Sequence, residues 1–225
     1  MNKWKESELV RSLLGFFLLF LLFVGLFIFV VPSTHQSSKI AEKIKSIKNE
    51  KVTYVAIGDS LTQGVGDSSN QGGFVPVLSQ ALESDFDWQV TSRNYGIAGN
   101  TSNQILKRMQ EKKDIQRDLK KAKVMTLTVG GNDVIHVIKD NITNLNVDTF
   151  TKPAQAYQKR LGQIIELARK DNKTLPIYIV GIYNPFYLNF PEMTEMQTIV
   201  DNWNRSTEEV SKEYDNVCLL YTSDA

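Results

Sequence analysis

Nineteen consecutive residues of this chain, Leu13 to Val31 (LLGFFLLFLLFVGLFIFVV), carry no charge. As a helix rising about 1.5 Å per residue they span roughly 28 Å, close to the hydrocarbon thickness of a bilayer. A core helix of a soluble domain keeps a polar face, and this run has none. The segment is therefore expected to enter a membrane. It exceeds the ~7–15 apolar residues of a signal peptide, and Val31-Pro32-Ser33-Thr34 offers only a poor cleavage site. An uncleaved anchor is the expectation, with secretion after cleavage as the alternative. Lys3, Lys5 and Arg11 precede the run, which keeps the N-terminus cytoplasmic and places the remainder on the outer face. Lys39, Lys43 and Lys45 beyond it pull the other way. The expected division is a cytoplasmic N-terminus (1–12), a transmembrane anchor (13–31), a polar stalk (32–51) helical over Ile40 to Lys48, and one domain over 52–225.

The net charge of +1 averages two unlike parts. The first 50 residues hold 7 Lys/Arg against 4 Asp/Glu, leaving 19 against 21 for the rest of the chain. That mildly acidic remainder has no electrostatic footprint for a polyanion, so no nucleic-acid partner is expected. The single cysteine, Cys218, excludes an internal disulfide and a cysteine-based metal site. The two histidines, His35 and His136, leave little room for a histidine cluster, and no metal or other cofactor is expected.

After residue 51 the pattern alternates. Short β-rich apolar runs occur at Val52–Ile57, Gln89–Asn94, Val124–Val129, Ile177–Gly181 and Val217–Tyr221, and the first suits a strand buried on both faces. Helical patterns lie between them at Phe74–Leu82, Ser102–Lys121, Pro153–Lys170 and Met193–Tyr214. In that order they argue an α/β fold, a parallel sheet covered by helices on both faces. Tyr54 and Trp88 are assigned to the core. Working groups in such sheets gather at the carboxyl ends of the strands.

Three strand ends carry unusual loops. Gly58-Asp59-Ser60-Leu61-Thr62-Gln63-Gly64 is either a turn or the seat of a nucleophile, Ser60, beside backbone N–H groups. A phosphate-binding loop is discounted, because the Gly-Lys-Ser/Thr ending is missing. In the second loop Gly99 is either a turn glycine or a point of close backbone approach. In the third, Gly130-Gly131-Asn132-Asp133, Asn132 is either a helix cap or a neutral donor for an oxyanion. Asp133 is read as a cap without chemistry. Together a serine, a backbone donor and an amide donor outline an acyl-transfer site.

With these motifs the chain resembles the SGNH, or GDSL-type, serine esterases and lipases. The matching residues are Gly58-Asp59-Ser60-Leu61-Thr62, Gly99-Asn100-Thr101-Ser102 and Gly130-Gly131-Asn132-Asp133. The resemblance spans about residues 52–221. It implies a three-layer α/β/α sandwich with a flavodoxin-like sheet, and hydrolysis of carboxylic esters without a cofactor. It also implies that Ser60 is the nucleophile, with its own N–H, the Gly99 N–H and the Asn132 side chain as the oxyanion hole. Acyl lipids, lysophospholipids and acetylated glycans are the substrate classes it suggests.

The family closes with an Asp-x-x-His block that supplies the general base, and a serine hydroxyl is a weak nucleophile without one. No such block follows the fifth apolar run, in the C-terminal stretch that ends at Ala225. The expectation is a chain whose natural C-terminus continues further and which alone is inactive or nearly so. His136 reads as a helix-surface or packing residue. A non-catalytic, membrane-tethered binding domain on the same fold is the alternative. Asn184-Pro185, with Tyr183, Phe186 and Tyr187, reads as loop packing, or else as the lining of an acyl pocket.

Overall fold

The computed structural model describes residues 50–69, 71–141, 146–184 and 194–221. The expected anchor and stalk helix and the expected stalk up to Asn49 lie outside the described residues, as do Pro185, Phe186 and Tyr187, and Lys51, expected to end the stalk, opens the first strand. No described helix is long and apolar enough to cross a membrane.

The described elements run β1 (Lys51–Gly58), α1 (Ser60–Gln63), α2 (Phe74–Phe86), β2 (Gln89–Gly96), α3 (Ser102–Glu111), α4 (Lys113–Lys121), β3 (Ala122–Thr128) and α5 (Gly131–Asp140). A 3-10 turn (Val147–Phe150) leads into α6 (Thr151–Ala168), followed by β4 (Ile177–Val180), α7 (Thr194–Lys212) and β5 (Val217–Leu220). The strands form one parallel sheet in the order β2-β1-β3-β4-β5. That is the flavodoxin-like order, whose switch point lies between β1 and β3.

Alternation along β1 sorts its side chains to two faces. Val55 and Ile57 join Met125 and Leu127 of β3, Ile177 and Ile179 of β4, and residues of α3, α4, α6 and α7 in the larger core. Tyr54 and Ala56 face the other way, against Val124 and Val75 of α2. Tyr54 is wholly buried, and its hydroxyl pairs with Thr126 Oγ1 at 2.7 Å. Burial pushes its phenol up to about 12. Among the described residues, coverage of this second face is uneven. Beyond the part under α2, Tyr178 is 38% and Leu220 49% exposed, with Cys218 exposed between them.

The expectations for Trp88 and for the helix over 102–121 need correction. The strand over 89–94 exists but lies at the sheet edge, with most of its side chains exposed. Trp88 is only partly buried, stacked on Phe86 with ring centroids 4.7 Å apart, and the Lys123 ammonium lies over its ring. The expected single helix over 102–121 is two, broken at Lys112, whose backbone is extended. Gln116 closes that break, donating from Nε2 to the carbonyls of Met109 (3.1 Å) and Gln110 (2.7 Å). Those carbonyls belong to the last turn of α3 and have no partner within it.

Candidate active site

Gly58 ends β1 where three oxygens crowd its backbone. A Cβ there would lie 2.1 Å from Thr128 Oγ1, 2.5 Å from Thr62 Oγ1 and 2.7 Å from the Thr128 carbonyl. Only glycine lets the next residues turn in over β3. Asp59 then caps α1, its Oδ1 accepting the Leu61 N–H at 3.1 Å. Thr128 Oγ1 accepts the Asp59 N–H (3.1 Å) and donates to Asp59 Oδ1 (2.8 Å). Its proton is committed, so at 2.8 Å the Thr62 hydroxyl must be the donor to Thr128. A second contact of that hydroxyl, with the Ile57 carbonyl at 3.4 Å, is longer and weaker. The resulting chain, Thr62 to Thr128 to Asp59, is buried throughout. It locks the turn that presents Ser60, half-buried, at the first position of α1. There its N–H has no acceptor inside the helix.

The second loop is tied to the same turn. Asn94 Nδ2 donates to the Thr62 carbonyl (2.7 Å), the Ile97 N–H to the Gly58 carbonyl (3.1 Å) and the Ala98 N–H to Gln63 Oε1 (2.6 Å). Arg108 reaches back from α3 to the carbonyls of Tyr95 and Gly58, and desolvation lowers its pKa. Gly99 sits at φ +80° in an exposed turn closed by the Asn100 N–H on the Ile97 carbonyl. A Cβ at Gly99 would meet open space, so its backbone angle is what calls for glycine. Among the described residues its N–H has no hydrogen-bond partner.

The third loop meets the second. Asn132 is no cap: its Nδ2 donates to the Asn100 carbonyl at 3.0 Å. One amide hydrogen is spent there and the other is available. Asp133 is no cap either. It is buried and accepts from the Ser102 N–H (2.8 Å), the Ser102 hydroxyl (2.6 Å) and Arg160 Nη2 (3.1 Å).

Ser60 and Asn132 line one cavity of about 170 Å³. Most of its remaining wall is apolar, from Leu61, Val134, Ile138, Ile182, Met196 and Val200 among others. Tyr183 also lines it, at 63% exposure, so this aromatic borders the cavity rather than packing the loop. Gly99 is not among the lining residues and adjoins the site through Asn100. His136 lies on an exposed face of α5, outside the lining, as a surface residue is expected to. Among the described residues Ser60 Oγ has no hydrogen-bond partner. No group of three or more potential metal-ligating side chains occurs among the described residues.

Asp59, Thr128, Ser102 and Arg160 escaped sequence reasoning. One signal was present: Thr126 and Thr128 interrupt the apolar run of β3, and a buried hydroxyl needs a partner.

The parallel sheet of this order, with Ser60 opening α1 just beyond β1 and Asn132 in the first turn of α5 just beyond β3, has the arrangement that the resemblance to SGNH hydrolases implies. The chain belongs to the GDSL-like lipase/acylhydrolase family, whose model matches residues 56–224. The protein YpmR of Bacillus subtilis (strain 168) is 31% identical over 194 residues, covering 85% of this chain and 75% of that one. The spore germination lipase LipC of Bacillus licheniformis is 30% identical over 138 residues, covering 59% and 64%. Among solved structures, the lipase Lip_vut3 from a goat rumen metagenome aligns with a TM-score of 0.66 at 23% identity, over 76% of this chain and 80% of that one. The SGNH-hydrolase family esterase AlinE4 aligns with a TM-score of 0.53 at 22% identity, over 75% of each. These two likenesses speak to the fold.

Proposed function

We propose that this protein hydrolyses carboxylic esters through an acyl-enzyme on Ser60. The observation that carries the reading is the shared cavity: Ser60 and Asn132 border a space walled chiefly by aliphatic side chains. Attack of Ser60 Oγ on an ester carbonyl leaves a negative oxygen. The Ser60 N–H, the Gly99 N–H and the second Asn132 amide hydrogen are the donors proposed to receive it. The alcohol leaves, and water then releases the acid. A space of about 170 Å³ compares with the ~150 Å³ engineered cavity that holds benzene, so acyl groups of about six carbons suit it. The general base proposed for Ser60 is the histidine of the Asp-x-x-His block that the resemblance implies. The apolar segment Leu13–Val31 supports tethering to a membrane with the hydrolase domain on the outer face.

The test uses the full-length gene product, with the Asp-x-x-His block that the resemblance implies, and p-nitrophenyl acetate, hexanoate and palmitate as substrates. Hexanoate is expected to give the highest kcat/KM, Ser60→Ala to abolish turnover, and Asn132→Ala to lower kcat by about 10²–10³-fold. Turnover unchanged in Ser60→Ala would sink the proposal. The unpartnered Ser60 hydroxyl favours a second reading, a tethered binding domain without catalysis. That reading expects ester binding in the same cavity and no Ser60-dependent product from any ester. Removal of residues 1–31 is expected to move the protein from the membrane fraction to the soluble one.

A further inference from the structure

The two loops that carry Gly99 and Asn132 follow β2 and β3, which are not neighbours: β1 lies between them. At about 4.8 Å per strand, their strands are roughly 10 Å apart, and no sheet hydrogen bond joins them directly. Besides the Asn132–Asn100 bond, a buried cluster spans that gap. Ser102, the first residue of α3, gives both its N–H and its hydroxyl to the Asp133 carboxylate, at 2.8 and 2.6 Å. Arg160 of α6 closes the arrangement from a third element. Its Nε donates to Ser102 Oγ at 2.7 Å and its Nη2 to Asp133 Oδ1 at 3.1 Å. The proton order is determined. Ser102 Oγ accepts from Arg160 and donates to Asp133, and every hydrogen bond in the triangle involves an ionised partner.

We infer that Arg160 is a positioning residue, which through Ser102 and Asp133 sets the separation of the two oxyanion donors Gly99 and Asn132. The inference rests on the acyl-transfer reading of the site. Ser102 and Asp133 each adjoin a donor segment, Asn100-Thr101 on one side and Asn132 on the other. The Asn132–Asn100 bond is the only other described hydrogen bond joining these two segments. It runs between a side chain and a loop carbonyl, and therefore holds its length only while the clamp holds the loops. Arg160 is suited to the task because two donors on one rigid plane meet two different acceptors. Its side chain is 26% exposed, and it is not among the residues lining the cavity. It acts on the donors and does not touch the substrate.

The experiment compares Arg160→Met, Arg160→Lys and, as a control on the same helix, Arg169→Met in the full-length gene product. Arg169 bonds the Leu175 carbonyl at the far end of α6 and stabilises the fold away from the site. With p-nitrophenyl hexanoate, Arg160→Met is expected to lower kcat by about 10²-fold with KM within about threefold, since misplacing a catalytic group by about 1 Å costs about that much. Arg160→Lys, which keeps the charge but not the planar pair of donors, falls between. Arg169→Met lowers Tm with kcat retained. An activity-independent reading comes from the Asn132 side-chain amide pair in a ¹H–¹⁵N spectrum, expected to shift in both Arg160 variants and not in Arg169→Met. If Arg160→Met fails to fold, the lysine variant decides. Unchanged kcat together with an unshifted Asn132 amide overturns the inference, as does an equal loss of kcat in Arg169→Met. If Ser60→Ala proves as active as the parent, the acyl-transfer reading falls while the amide shift still reports on the clamp.

Discussion

Gly58 shows how narrowly the serine turn is built. An alanine methyl would have to share space with two threonine oxygens and the β3 backbone, and the carbonyl among them cannot swing away. Gly58→Ala is expected to cost about 3 kcal/mol, lowering Tm by roughly 10 °C in a domain of this size. Thermal denaturation checks it, and a Tm within about 2 °C of the parent would contradict the crowding. Ser60 and Asn132 were legible as candidates because strand-end position and residue chemistry are both local properties. Asp133 was misread as a cap for the opposite reason. Its partners are Ser102 and Arg160, 31 and 27 residues away along the chain, and nothing local announces them.

At the scale of elements, the strands and the longer helices were readable from their apolar periodicity, with the boundaries moving by a few residues. The break at Lys112 was not. The segment has neither glycine nor proline there, and its closing group is the side chain of Gln116, four residues on. The connection from α1 to α2 has its own organiser. Asp67 accepts from the N–H groups of Ser69 (2.9 Å), Gln71 (2.9 Å) and Gly73 (3.0 Å) and from the Ser69 hydroxyl. The Ser69 hydroxyl and these amides hold its carboxyl well below the usual carboxylate range. A depressed folded-state pKa gives a contribution that is complete above the unfolded value, about 3.9, and is lost as pH falls from there toward the folded value. The amides of Ser69, Gln71 and Gly73 are therefore expected to lose hydrogen-exchange protection as pH drops below about 4, and Asp67→Asn to flatten that dependence. Protection that stays constant from neutral pH down to about 3 would contradict the role.

At the scale of the molecule, the sheet is unequally dressed. Parallel sheets are ordinarily covered on both faces, yet Tyr178, Cys218 and Leu220 lie exposed beyond the reach of α2. The sequence pattern hid this, because five apolar runs look alike until the topology places two of them at one side. The strip is expected to bind the dye ANS in the folded protein, and Leu220→Lys with Tyr178→Lys to reduce that fluorescence at least threefold, by the loss of exposed apolar surface. Equal dye binding by the double variant would locate the apolar surface elsewhere. Cys218 is the single thiol of the chain and stands on this strip. It should therefore react with Ellman's reagent without denaturant, and an environment-sensitive fluorophore attached there would report, from one defined point, whatever comes to lie over this exposed strip.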